Sequence, residues 1–128
     1  MEIVQRYIDS WNETGEPLWT EIHPDAVFVI DRESFVAGTY RGHEGIRDLF
    51  RLTAEVFDEF RYEVDDMVDA GASVLVLGRI SARGIQSGAT GTQRGSLVFQ
   101  IRDGLIVAYT SYFDREEAFA AVGLREQE

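Results

Sequence analysis

At the start of the chain Ile3, Val4, Tyr7, Ile8 and Trp11 recur at helical spacing, with Glu2, Gln5, Arg6 and Asp9 between them. That pattern predicts an amphipathic helix over residues 2–12. Residues 14–16 break it, and Pro17 suits the first turn of a short second helix carrying Leu18, Trp19 and Ile22. His23-Pro24-Asp25 ends that helix, because a residue before proline avoids helical dihedrals. A strand is expected at 26–30, a turn at 32–34 and a partner strand at 35–40. Ile46, Leu49, Phe50, Val56 and Phe57 then mark one face of the longest helix, about four turns laid across the sheet. Beyond it, 60–68, 72–83, 92–102 and 105–114 read as strands. Asp69-Ala70-Gly71 and Asp103-Gly104 are hairpin signals, and 84–91 is a looser glycine-rich connection.

The last strand has no face that stays polar for long. Leu105, Val107, Tyr109, Ser111 and Phe113 share one side, and Ile106, Ala108, Thr110 and Tyr112 the other. Both should therefore be covered, one by helices and one by a neighbour. A homodimer through the outer face, where Ile80 and Val98 would join the second set, is the expected neighbour. Asp114, with Glu117 three places on, predicts an N-capped closing helix packed through Phe119 and Val122 and stopped at Gly123. Helices first and an antiparallel meander after them make an α+β class.

Composition narrows the partners. The 128 residues, 45% hydrophobic and 12% aromatic, suit one domain over 1–128 with a core and a modest pocket. A net charge of -11 argues against nucleic acid or an anionic membrane as partner, since both need a basic footprint. Without cysteine there is no disulfide, thiolate nucleophile or Cys-based zinc site. The chain opens without a signal-like segment, and no apolar run approaches ~20 residues, so a soluble, cytoplasmic protein is expected. His23 and His43 sit at helix boundaries without metal-ligand spacing, and neither a metal nor another cofactor is expected. The loop 84–91 joins two strands, so it is a hairpin connection rather than a phosphate cradle.

The element order, with Thr39-Tyr40-Arg41-Gly42-His43-Glu44-Gly45-Ile46 entering the long helix, Asp69-Ala70-Gly71, and Arg102-Asp103-Gly104 through Asp114-Arg115-Glu116-Glu117-Ala118, resembles the SnoaL-like family of the nuclear-transport-factor-two-like superfamily. The resemblance implies a cone: a cystatin-like, curved antiparallel sheet with helices packed on its concave face around an apolar pocket. It covers ketosteroid isomerases, polyketide cyclases, epoxide hydrolases and non-catalytic members, so the fold does not choose a reaction.

The residues expected to line the cone are Trp11, Trp19, Phe28, Ile30, Ser81, Leu97, Phe99, Tyr109 and Phe113. Ser111 falls where cyclases and hydrolases of this fold carry a catalytic Asp, and a hydroxyl has no useful basicity near neutral pH. Arg79 matches the arginine of the epoxide-hydrolase triad, with Ser81 at its second Asp. Phe28 and Ile30 replace that hydrolase's water clamp, while Ile30 and Leu97 replace the isomerase carboxylates. Tyr7 aligns with the isomerase oxyanion donor; the alternative is a core tyrosine on an amphipathic helix.

Arg79 either anchors a carboxylate, enolate or carbonyl from inside the cone or is paired and wetted at the surface. Asp31 is expected in a turn, facing outward. Two readings follow. One is a small-molecule pocket protein acting as an isomerase, cyclase or hydrolase on a hydrophobic, oxygen-bearing ring compound, using Arg79, Tyr7 and Ser111 for polarisation. The other is a non-catalytic ligand-binding or dimerisation module that has lost the acids.

Overall fold

Six strands in the order β2-β1-β6-β5-β4-β3 form the frame of the computed structural model, which describes residues 1–125. In chain order the elements are α1 (Glu2–Thr14), β1 (Ile22–Ile30), β2 (Gly38–Arg41), α2 (Gly42–Val56), β3 (Phe57–Ala70), β4 (Ser73–Gly84), β5 (Thr90–Arg102), β6 (Leu105–Tyr112) and α3 (Arg115–Ala121). The architecture is the α+β curved sheet that the hydrophobic pattern anticipates.

The first helix stops at Gly15, whose φ of 77° lets its N–H bond the Trp11 carbonyl. The expected second helix is a single 3-10 turn, Trp19–Glu21. Ile22 and His23-Pro24-Asp25 belong to β1 instead, where the register shifts between Ile22 and Val27. That irregularity accommodates a proline inside a strand. Phe35 lies in a turn ahead of β2, and Phe57 opens β3 rather than closing α2. The β5–β6 hairpin turns at Asp103 and Gly104 with φ of 53° and 75°, the paired positive values a tight two-residue turn requires.

Strands β3 to β6 form the antiparallel meander, but β1 runs parallel to β6. The chain reaches β6 only after crossing the whole sheet, so the two strands meet without a hairpin.

The two faces of the sheet carry different covers. On the inner face α1 and α2 press Val4, Tyr7, Ile8, Ile46 and Leu49 against Phe28, Val76, Leu97, Phe99 and Ile106. On the outer face α3 lays Ala118, with Phe119 and Val122, over Leu75, Leu77 and Val98. Asp114 caps α3 by accepting the Glu116 and Glu117 amides, while the Glu117 carboxylate goes to Arg32 instead of closing a capping box.

Two residues expected outside are inside. Ile106 is fully buried in the inner core because a register shift in β6 near Gln100/Ile101 leaves Val107 without a partner and reverses the alternation there. Ile80 also packs on the inner core. Among the described residues no helix is long and apolar enough to cross a membrane.

Candidate functional site

Between the inner face and the two long helices lies a hollow of about 750 Å³. Tyr7, Ile8 and Trp11 of α1 and Leu49, Phe50 and Thr53 of α2 form one wall. Tyr62, Ile80, Leu97, Tyr109 and Ser111 form the sheet side. Glu33, Phe35, Glu55, Ile85 and Gln86 line it as well and are exposed, so the mouth lies between the loop after β1, the end of α2 and the β4–β5 loop.

The inner end is built on stacked rings. Tyr7 meets Phe28 and Phe99 edge-on at 6.1 and 5.2 Å between ring centroids, and Tyr109 stacks on Phe28 at 4.8 Å. Phe28 and Phe99 are fully buried and do not line the hollow; they are the floor on which the two tyrosines stand. Tyr7 is 8% exposed. Neither the Tyr7 nor the Tyr109 hydroxyl has a hydrogen-bond partner among the described residues, yet neither is sealed away. Burial pushes both phenols well above their usual pKa, for Tyr7 with a further push from Tyr109, so each is a neutral donor near neutral pH.

Ser111 joins this end by a different route. Its Oγ accepts the Asp31 amide at 3.1 Å, and Asp31 is buried rather than turned out to water. Both Asp31 carboxylate oxygens are committed, Oδ1 to the Glu33 amide and Oδ2 to the Phe113 amide, at 2.9 and 3.0 Å. Asp31 thus ties the end of β1 to the end of β6 and does not line the hollow.

Tyr62 is the residue that sequence reasoning missed. Its ring crosses β4 over Gly78, and its hydroxyl donates to the Gly95 carbonyl at 2.6 Å. Asn12 fixes the strand from behind, exchanging two hydrogen bonds with the Tyr62 backbone at 2.8 and 2.9 Å. The signal was present: a glycine inside an otherwise Val/Leu strand marks a close approach. Phe57 and Phe60 were missed for another reason, since both lie where the long helix gives way to β3.

Arg79 is not in the site. Its face of β4 points outward, and its guanidinium reaches Asp65 and Glu63 at 3.0 and 3.1 Å with the side chain 46% exposed. Ser81, on the same face, meets the Thr92 hydroxyl at 3.3 Å and does not line the hollow. Alternation is the physical reason, because Val76 and Ile80 take the inner positions and leave the odd-numbered residues outside. Trp19 is also displaced. It packs on Phe50 and His43 beneath Arg47, whose guanidinium sits 4.6 Å from its ring, outside the hollow. Of the candidate site residues, Trp11, Ile30, Leu97, Tyr109 and Phe113 from the expected lining, and Tyr7 and Ser111 from the expected polarising groups, lie along the hollow.

His43 Nε2 lies 2.8 Å from the Ile22 carbonyl, and His23 Nδ1 accepts the Asp25 amide, so both histidines serve local structure. Among the described residues no group of three or more His, Cys, Asp or Glu is placed to hold a metal ion.

A family model described as a SnoaL-like domain matches residues 4–109. An NTF2-like protein of unknown function from Burkholderia pseudomallei is similar at 19% identity, covering 96% of each chain with a TM-score of 0.79. A second NTF2-like protein, from Burkholderia thailandensis, shares 26% identity over 87% of each chain, with a TM-score of 0.78. TerC, co-crystallised with polyporic acid, shares 22% identity over 94% of this chain and 95% of its own, also at 0.78. No curated protein matches the sequence.

Proposed function

This chain belongs to the SnoaL-like domain family, and on that premise we propose that it holds a hydrophobic, oxygen-bearing ring compound in the hollow, with the ligand's oxygen accepting from Tyr7. The observation that carries this reading is the Tyr7 hydroxyl, which has no hydrogen-bond partner among the described residues and opens, from a residue only 8% exposed, on a hollow large enough for a small molecule. A bound carbonyl or hydroxyl oxygen would accept its proton, an interaction worth roughly 0.5–1.5 kcal/mol net. The rings of Trp11, Phe50 and Phe60 supply apolar contact along the wall. Co-crystallisation of TerC with polyporic acid fits the same use of this architecture.

Binding is favoured over acid–base catalysis. The only carboxylates lining the hollow among the described residues are Glu33 and Glu55 at its mouth, and Asp31 is tied up by backbone amides. A second reading, polarisation of a ligand carbonyl toward isomerisation, cyclisation or hydrolysis, is supported by the two neutral phenols of Tyr7 and Tyr109, whose ring centroids lie 5.9 Å apart.

Calorimetric titration with a neutral aromatic ketone, acetylnaphthalene, tests the reading. Tyr7→Phe should weaken binding about 5- to 10-fold, the worth of one neutral hydrogen bond. Arg79→Ala should leave it unchanged. Equal affinity in Tyr7→Phe, or a loss confined to Arg79→Ala, overturns the assignment.

A further inference from the structure

The charges around the hollow select its ligand. The chain has no lysine, so its 12 basic residues are all arginines. None of them, and neither histidine, lines the hollow. Three arginines of α2 and β4 are held by carboxylates outside the hollow. Arg51 bridges Asp48 and Glu55, Arg79 bridges Glu63 and Asp65, and Arg83 bridges Asp58 and Glu59. An anionic ligand would thus lose its hydration and gain no cation in return.

A cation meets the opposite situation at the mouth. Glu33 lines the entrance and is in no ion pair among the described residues, its neighbour Arg32 making its side-chain hydrogen bond to Glu117. Phe35, 84% exposed, stands beside it and meets Phe57 edge-on at 6.0 Å. A carboxylate and aromatic faces together are what an ammonium group prefers at a partly wet site. The Tyr7 hydroxyl at the far end points independently to a ligand, and to one carrying an acceptor there.

We propose that the hollow takes a hydrophobic aromatic amine that also carries an oxygen acceptor for Tyr7, its ring against Trp11, Phe50 and Phe60 and its ammonium at the mouth beside Glu33; the probes below test the ammonium alone. The proposal rests on the reading of the hollow as a ligand pocket and adds the charge of the ligand to it.

Three probes of matched size separate the two claims: naphthylmethylamine, naphthylmethanol and naphthoate, titrated calorimetrically near neutral pH at low salt. The amine should bind about 3-fold or more tighter than the alcohol, and naphthoate weaker than the alcohol by a similar factor, the range of a rim charge. Glu33→Gln should bring the amine down to the alcohol without changing the alcohol, and added salt should do the same to the native protein. Glu33 lies on an exposed turn, so the variant keeps its fold; Glu55→Gln, whose carboxylate Arg51 already holds, should have the smaller effect. Naphthoate binding as well as the amine, or an order indifferent to Glu33→Gln, overturns the inference while leaving the pocket reading intact. Failure of all three probes to bind overturns both.

Discussion

Gly78 and Arg79 are neighbours on β4, and between them they separate what holds the hollow open from what lies outside it. A methyl group at Gly78 would sit 2.2 Å from the Glu63 carbonyl oxygen and 2.7 Å from the Tyr62 hydroxyl. The first of these is backbone in the paired strand, so it cannot swing aside. Gly78→Ala should therefore destabilise the protein by about 1–3 kcal/mol through overpacking, read as a lower denaturant midpoint. It should also displace the Tyr62 ring, detectable as loss of its ring-current shifts on neighbouring methyls. Unchanged stability would mean that β3 and β4 are farther apart than described. Arg79, one residue on, is an outward guanidinium held by Asp65 and Glu63, and its removal should leave the hollow alone.

At the scale of elements, order and type are legible in the sequence while phase is legible only in part. Over Arg79 to Arg83 the alternation on its own places Arg79, Ser81 and Arg83 outside and Ile80 and Ala82 inside. Resemblance to a hydrolase arginine argues the reverse, and the structure follows the alternation. Earlier in β4 no such clue exists, because α3 covers the outer Leu75 and Leu77 and makes both faces apolar. The register shift in β6 that turns Ile106 inward has no sequence mark at all. Helix α3 and its apolar cluster cover the outer face over β4, β5 and the Tyr112 end of β6. Val27 and Val29 of β1 and Ala108 and Thr110 of β6 are left half-buried or exposed as a side-by-side strip. We propose this strip as the homodimer contact, without Ile80 and Ile106, which face the inner core, or Val98 and Tyr112, which the α3 cluster takes up. Sedimentation at micromolar concentration should give a dimer that Val29→Glu converts to monomer; a native monomer removes the idea.

For the molecule as a whole, the buried phenols set an upper limit on pH. Burial raises the pKa of Tyr7, Tyr62 and Tyr109 in the folded protein, whereas each ionises near 10 once unfolded. The folded state therefore holds these protons more tightly, and the stability they lend is fully present below about pH 10 and declines above it. Each contributes a slope of about 1.4 kcal/mol per pH unit at full effect, and the three together about 4, enough to exhaust an ordinary domain's stability within two to three units. Tyrosinate absorbance from these rings should thus appear together with loss of the circular-dichroism signal, in one cooperative step. Tyr7 and Tyr109 differ from Tyr62 in one respect, since their hydroxyls open on the hollow instead of bonding a backbone carbonyl. A bound ligand that accepts their protons should delay alkaline unfolding, and Tyr7→Phe should shrink that delay. Early titration of two phenols with secondary structure intact would show instead that water charges the hollow freely, and the neutral-donor chemistry assigned to Tyr7 would no longer hold.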